Sequence, residues 1–398
     1  MNPEALHQLL APSGQEVLAE AMSRSPRRED FLRHYTALSR KYPAELARSA
    51  LETAILRCEA VRKFPHQAQK MYFTREALEQ ATGADVAAYR AERYQPFRYA
   101  IDLGCSIGGD TLALAHHRPT LGIDLDPLRL LLARANAQAL GLVDQTAFVQ
   151  ADLYAWLPAR ALADTALFFD PARRSHDKRA FHVWDYQPPL EVVNRWRAYF
   201  PALGVKISPG VDLQELQHYD AEVEFISSAG ELKEAVLWFG PLKTAIRRAT
   251  LLPGPHTLIA EAPGTIEKIP LSEPQRYIYE PDPAILRAGL VRPLGRQLDA
   301  AQLDEDIAYL TAARYQPTPF ARAWEVETWL PFNLKHLRDV LRQRKVGRVT
   351  VKKRGSPLEP QALVRDLRLK GDQERVIFLT HFLGKPIVIL AAAGPLGK

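Results

Sequence analysis

The 398-residue sequence predicts an α/β protein: a doubly wound, mostly parallel sheet, preceded by a helical segment and followed by an α+β segment. Three patterns point to it. From residue 99 to about residue 208, short apolar strands alternate with longer helical stretches, the trace that strand–crossover–strand units leave in a sequence. The first ninety residues carry apolar positions at helical spacing only. After Pro241, prolines crowd at 253, 255, 263, 270 and 274 and mark the crossing into a differently built region. A chain of this length exceeds what one core usually serves, and the three patterns divide it into domains at 1–95, 96–245 and 250–398.

In chain order, helices are expected over 30–40 and 44–63, the second opened by Pro43, whose fixed φ suits a helix start. Thr74 is placed to cap a helix that ends before Gly83, and 85–94 is a further short helix. Strands follow at 99–103, 121–125, 147–150, 166–170 and 204–208, separated by helices at 110–116, 128–139 and 190–200. Residues 222–227 and 234–240 are joined by a short turn, which fits an antiparallel closing pair. The last segment mixes strands at 256–260, 348–352, 376–380 and 386–390 with helices at 304–313, 334–342 and 359–368.

With 47% hydrophobic and 25% charged residues, the composition is that of an ordinary globular chain. Two cysteines, Cys58 and Cys105, make no disulfide framework, and no C-x-x-C or H-E-x-x-H spacing points to a metal. Cys58 is expected to be buried among the helices and Cys105 to be a small packing residue. The amino end lacks a basic stretch followed by an apolar one, and no apolar run reaches about 18 residues, so a reduced cytoplasmic location without a membrane partner is expected. A net charge of +6 names no partner by itself. Its distribution is more informative: between Lys335 and Arg354 stand nine Lys or Arg residues against one acid, Asp339.

The first strand runs into Ile101-Asp102-Leu103-Gly104-Cys105-Ser106-Ile107-Gly108-Gly109-Asp110. Small residues let backbone approach a nucleotide, and amides at the following helix start face it. The glycines fall at 104, 108 and 109, so the G-x-G-x-x-G fingerprint of dinucleotide enzymes is absent. The loop instead resembles the D-x-G-x-G-x-G loop of class I S-adenosylmethionine (AdoMet) methyltransferases, with Ser106 where the middle glycine usually sits. Two later motifs fall in register. Leu121-Gly122-Ile123-Asp124-Leu125-Asp126 is similar to the family's second strand, whose terminal acid accepts from both ribose hydroxyls. Phe148-Val149-Gln150-Ala151-Asp152-Leu153 is similar to the third-strand motif, where an Asp accepts from the adenine amino group. The resemblance implies a Rossmann-like methyltransferase sheet and AdoMet as cofactor, held by Asp102, Gly104, Ser106, Gly108, Asp124, Leu125, Asp152 and Leu153. Taken singly, Asp126 reads as a surface acid and Asp152 as a helix cap.

The fourth strand ends in Phe168-Phe169-Asp170-Pro171-Ala172-Arg173-Arg174, which resembles the D-P-P-x element of methyltransferases that modify amino groups of bases and some proteins. In that family the acid and a proline carbonyl accept hydrogen bonds from the target amine, which implies Asp170 and Pro171 as the catalytic pair. Two departures stand out: Ala172 replaces the second proline, and Arg173 replaces the aromatic that stacks on a flipped base. Phe181, Trp184 and Tyr186 are the candidates for that surface. Arg173 and Arg174 open a basic loop suited to phosphate contacts, although a solvated charged loop reads the same way. With no cysteine in this region, covalent C5-pyrimidine methylation has no nucleophile. Without a cysteine cluster, radical AdoMet chemistry has no iron–sulfur ligands.

Lys70-Met71-Tyr72-Phe73-Thr74 is similar to the aromatic–Thr segment of trimethylguanosine-synthase-like RNA methyltransferases, which lies against the methionine end of the cofactor. Phe73 and Thr74 join the cofactor candidates on that resemblance, and read locally as a hydrophobic staple and an N-cap. Together with the Tyr-Ile-Tyr-Glu-Pro-Asp-Pro run from 277, these motifs resemble bacterial class I methyltransferases with a helical amino-terminal region and a carboxy-terminal THUMP-like domain. THUMP domains bind structured RNA, so RNA is implied as partner. Lys335, Arg338, Arg342 and Lys345 fall near one helical face, and Arg348, Lys352, Lys353 and Arg354 continue the charge onto a strand and turn, a surface that suits phosphate contacts without base readout, although a solvated helix face with no partner reads the same way. The expected function is AdoMet-dependent methylation of an exocyclic base amine in structured RNA. A small-molecule or protein methyltransferase, and a non-catalytic protein binding AdoMet and RNA, remain open alternatives.

Overall fold

The computed structural model describes residues 1–155, 164–172, 174–175, 178–179, 182–260 and 268–397, with backbone alone at 174–175 and 178–179. The chain divides into two compact units: residues 1–222 with 234–244, and residues 223–233 with 245–398. Among the described residues no helix is long and apolar enough to cross a membrane.

The first unit begins with helices Pro3–Leu10, Pro12–Ser23, Phe31–Ser39, Ala44–Ala60, Arg75–Gln80 and Ala84–Glu92. Local chemistry sets their starts. Asn2 Oδ1 accepts from the Ala5 amide at 2.8 Å, prolines occupy the first positions at 3 and 12, and Pro43 precedes Ala44. Helix Ala44–Ala60 buries Ala47, Ala50, Leu51 and Ala54 completely, and these small side chains let the neighbouring helices approach closely. Cys58, expected to be buried, is exposed, because this helix turns 58 and 59 to solvent. Thr74 Oγ1 accepts from the Ala77 amide at 3.2 Å, as its N-cap spacing requires. Gly83 does not close that helix. The Lys63 ammonium donates to the carbonyls of Leu78, Glu79 and Ala81 instead, and Gly83 opens the next helix.

The sheet that follows contains β1 (Tyr99–Leu103), β2 (Thr120–Asp124), β3 (Thr146–Gln150) and β4 (Thr165–Phe169). A two-residue ribbon, β5 (Arg174–Ser175) with β6 (Lys178–Arg179), precedes β7 (Leu203–Ile207). Strand β8 (Ala221–Ser228) turns at Ala229-Gly230 into β9 (Glu231–Phe239). Within this unit the order is β9-β7-β4-β1-β2-β3, parallel from β3 to β7, with β9 antiparallel to β7. Every residue of β4 and β7 is buried, as for central strands covered on both faces.

One side chain ties the helical segment to this sheet. Asn136, on crossover helix Pro127–Ala139, is fully buried. Its Oδ1 accepts from the Tyr72 amide at 2.6 Å, and its Nδ2 donates to the carbonyls of Tyr72 at 3.1 Å and Ile107 at 3.0 Å. Around it, Phe64, Tyr72 and Phe73 share one apolar core with Ile107, Leu112 and Leu132.

In the second unit, β10 (Arg247–Leu252) runs parallel to β8 and antiparallel to β11 (His256–Ala260). Strands β12 (Tyr277–Pro281), β13 (Ala301–Asp304), β14 (Ile307–Ala312), β15 (Ala321–Pro331), β16 (Val346–Lys353), β17 (Gln373–Phe382) and β18 (Lys385–Ala391) form another sheet, ordered β13-β14-β12-β15-β18-β17-β16. Helices Leu334–Gln343 and Pro360–Leu367 cover one face through Leu337, Leu341, Leu363 and Leu367, set on Ile377, Leu379, Val388 and Leu390. On the opposite face, Phe378, Ile387 and Ile389 meet Leu303, Tyr309 and Trp324, so the sheet coils until its two ends share one core. Residues 304–313, expected as a helix, are a turn and strand β14. A strand paired on both sides and buried on both faces reads as a run of apolar residues, which spacing alone does not separate from a helix.

Replacing Asn136 with Ala leaves one buried N–H and two buried carbonyls without partners, and each such loss costs about 1–3 kcal/mol. Asn136→Ala is expected to lower stability against urea by about 3 kcal/mol. An unchanged midpoint would show that the amide does not join the two segments.

Candidate active site

The loop after β1 is shaped by three residues with positive φ: Gly104 at 82°, Ser106 at 50° and Gly108 at 85°. Ser106 adopts the left-handed conformation for which glycine is the usual choice, which explains why this position otherwise favours glycine. The amides of Gly104 and Cys105 both donate to the Ile123 carbonyl, at 2.8 and 2.9 Å. Asp124, at the end of β2, accepts from the Ser106 amide through Oδ2 at 2.8 Å and from the Asp126 amide through Oδ1 at 2.9 Å. Its carboxylate therefore fixes the loop. Each oxygen keeps a second lone pair for another donor.

A Cβ on Gly104 would stand 3.0 Å from the Asp170 carbonyl oxygen, so the loop lies against the end of β4. Asp102 is buried; Thr111 Oγ1 donates to its Oδ2 at 2.6 Å, and its Oδ1 has no hydrogen-bond partner among the described residues. Burial pushes its carboxyl well above the usual range, Asp110 adds to this, and Thr111 and Arg90 oppose it. Cys105 is buried and its thiol is pushed up by burial, which leaves it inert.

The other cofactor candidates are spread around this loop. Leu125 is exposed beyond β2, Leu153 is buried, and Asp152 Oδ1 accepts from the Tyr154 amide at 2.9 Å. Phe73 is fully buried, its ring 5.7 Å from that of Phe64, while Thr74 is half-buried and acts as a cap.

On the target side, Asp170 Oδ2 accepts from Lys206 Nζ at 2.6 Å, and the same ammonium donates to Thr82 Oγ1 at 2.9 Å. Pro171 is buried, and Ala172 exchanges two backbone hydrogen bonds with Gln187, strapping the Asp170–Ala172 turn in place. Tyr186 is 1% exposed and its hydroxyl accepts from the Ser208 amide, so it offers no stacking surface, contrary to expectation. Trp184 is 56% exposed and stacks on His182 with ring centres 4.5 Å apart. His182 in turn bonds Glu215 at 2.6 Å, which raises its pKa above the ordinary histidine value. Arg173, the Arg174 side chain and Phe181 lie outside the described residues.

Behind the site runs a set of buried ions. Arg90, on helix Ala84–Glu92, bonds Asp110 and pairs with Glu234 at 2.9 Å, its guanidinium 4.3 Å from the centre of the Phe168 ring. Burial works against its charge, but Asp110 and Glu234 raise its pKa overall. Burial raises the Glu234 carboxyl, with Arg90 opposing. Sequence reasoning missed Lys206, Asn136 and Arg90. Lys206 alone left a signal: a charged residue in an otherwise apolar strand.

The basic residues of the second unit divide between two faces. Val349 and Val351 pack under the two helices, so strand alternation sends Lys352 to the opposite face, where it pairs with Glu280 at 2.6 Å and lies 4.9 Å from the Trp324 ring centre. Arg354 lies over Tyr309 and Lys353 pairs with Glu359 at 2.6 Å. On helix Leu334–Gln343, Arg338 donates to the Asp366 carbonyl and Arg342 pairs with Asp339 at 3.6 Å. Lys335 and Lys345 are exposed and have no side-chain partner among the described residues.

A glycine loop fixed by a strand-end carboxylate, beside a second strand-end acid, is an arrangement suited to a nucleotide cofactor. Two proteins of Mycobacterium tuberculosis, from different strains and each described as an uncharacterised S-adenosylmethionine-dependent methyltransferase, are 36% identical to this chain over 342 residues, which cover 83% of it and 92% of their own length. The chain belongs to the S-adenosylmethionine-dependent methyltransferases. Residues 321–393 match the model of a THUMP domain-like family, and residues 2–60 match a domain of unknown function, DUF8688. A crystal structure from Porphyromonas gingivalis, provisionally described as a methyltransferase, shares the fold with a TM-score of 0.77 at 21% identity, covering 95% of this chain and 98% of that one.

The residues present fit AdoMet. Asp102 offers a buried, unpartnered carboxylate oxygen, space is open beside Gly109 where a Cβ would stand, and the acids suit hydroxyl groups and a cation. Losing the charge-assisted hydrogen bonds of Asp124 removes about 1.5–3 kcal/mol each. Asp124→Ala is therefore expected to weaken AdoMet binding by about tenfold or more in calorimetry. A dissociation constant equal to wild type would exclude Asp124 from the cofactor site.

Proposed function

We propose that this methyltransferase modifies an exocyclic amine of a base in structured RNA. The observation that carries the reading is the meeting of Asp170-Pro171 with the cofactor loop at Gly104, within van der Waals reach of each other. Bound AdoMet supplies a methyl group on a cationic sulfur. Asp170 Oδ1 and the Pro171 carbonyl accept the two N–H bonds of the amine and so aim its lone pair at that methyl. As the N–C bond forms, the S–C bond breaks with its electrons left on sulfur, and the surplus proton on nitrogen passes to water. Alignment and desolvation serve such a transfer better than a strong base. Trp184, exposed and backed by His182, is the aromatic surface on which a target base would stack, in place of the aromatic that Arg173 replaces.

RNA as the substrate class rests on the THUMP-like match and on the exposed cations Lys335, Arg342 and Lys345 within it. Phosphate contacts release counterions, so each one lost lowers the salt dependence of binding by about one unit of slope. Lys335→Ala with Lys345→Ala is expected to reduce the slope of log K against log salt by about 1.5–2 and to weaken binding across RNA sequences alike. A second reading, a protein or small-molecule substrate, draws on the internal pairing of Lys352, Lys353 and Arg338; it expects no change in that double variant.

The decisive assay is labelled methyl transfer from AdoMet to RNA of a strain lacking the gene, where the target is unmodified. Asp170→Ala is expected to keep AdoMet affinity while transfer falls by about 100-fold or more, as positioned groups commonly contribute. Equal turnover in that variant would remove Asp170 from the reaction.

A further inference from the structure

We infer that Lys206 is a positioning residue for methyl transfer, fixing one oxygen of Asp170 so that the other alone meets the incoming amine. This rests on the reading of Asp170 given above. Lys206 lies on β7, beside β4, and is 4% exposed. An isolated buried ammonium is several kcal/mol unfavourable, so its charge requires partners. Among the described residues it has two hydrogen-bond partners, Asp170 Oδ2 and Thr82 Oγ1, which together fix its direction.

The other buried acid near it, Glu234, is already paired with Arg90. The one direct ion pair that Lys206 makes among the described residues is with the strand-end acid. Its two ends also differ: the Asp170 side chain is 23% exposed and the Lys206 side chain 5%. The dry end holds the ion and the wet end presents it.

Two chemical consequences follow. A carboxylate fixed by a cation on one oxygen is held in direction and still accepts hydrogen bonds, which suits orientation of an amine whose proton leaves only after transfer. With Lys206 held on Oδ2, Oδ1 is the oxygen that carries no cation and is the acceptor we assign to the amine, and the Pro171 carbonyl supplies the second. Two fixed acceptors match an NH₂ group; a hydroxyl, with one proton, satisfies only one of them.

The test uses full-length wild type, Lys206→Met, Lys206→Arg, Asp170→Ala and the double variant Asp170→Ala/Lys206→Met. Each is given labelled AdoMet and an extract of a strain lacking the gene, and the products are fractionated afterwards. Lys206→Met is expected to keep the AdoMet dissociation constant within about threefold and to lower kcat by about 30-fold or more, with KM nearly unchanged. Lys206→Arg, which retains the cation, recovers most of the loss. The double variant is no slower than Asp170→Ala, because the lysine acts through the acid. Wild-type kcat in Lys206→Met, or a double variant slower than Asp170→Ala by the full Lys206→Met factor, overturns the inference. If Lys206→Met does not fold, Thr82→Val loosens the ammonium instead and is expected to lower kcat by about three- to tenfold; unchanged kcat there overturns the inference equally. Label in protein or small molecules rather than RNA overturns the RNA substrate while the rate comparison still judges Lys206. No label from wild type overturns both.

Discussion

The side-chain amide of Asn136 is fully buried and makes three hydrogen bonds, and the architecture of the first unit depends on them. Two of its partners belong to Tyr72, between helices Ala44–Ala60 and Arg75–Gln80, and the third is the carbonyl of Ile107 in the loop after β1. Buried backbone groups are strongly unfavourable when unpaired, so the bundle is held to the loop by a constraint that apolar packing alone would not make directional. The shared core of Phe64, Phe73, Leu112 and Leu132 adds the area. The amide fixes the register.

The same logic extends to charge. Arg90 between Asp110 and Glu234, Arg93 on Glu222, and Lys206 on Asp170 are ion pairs whose members are largely out of water. Such pairs contribute little net stability against an apolar replacement, yet removing one partner strands the other at a cost of about 3–5 kcal/mol. Arg90 lies on the helix ahead of β1 and Arg93 just past its end, while Asp110 lies on the first crossover helix, Glu222 on β8 and Glu234 on β9. They orient a bundle helix against the sheet. In a methyltransferase this also keeps charge of both signs close to a site that handles a cationic cofactor.

What the sequence makes legible here is local. The glycine pattern from Asp102 to Gly108, the acids at 124, 152 and 170 and the Thr74 cap each read from a few consecutive residues, although the loop and two of the acids are held by distant partners. Residues whose partners are distant in the chain left almost no trace. Asn136 reads as one more polar residue on a helix, and Lys206 as a flaw in an apolar strand, until β4 and residues 72 and 82 are brought beside them. Strand β14 looked helical because burial on both faces erased its alternation. The basic stretch from 335 to 354 looked continuous because sequence does not reveal that alternation on β16 sends Lys352 to a face occupied by Glu280 and Trp324.

We propose that a carboxylate at position 170, presented beside the loop after β1, makes this methyltransferase act on an amine of RNA. Mass spectrometry of nucleosides from total RNA tests it most directly, comparing the parent strain, a strain lacking the gene, and the latter complemented with wild type or Asp170→Ala. The account predicts that one nucleoside methylated on an exocyclic nitrogen is missing without the gene, returns with wild type and stays missing with Asp170→Ala. An unchanged set of methylated nucleosides across all four strains would contradict it.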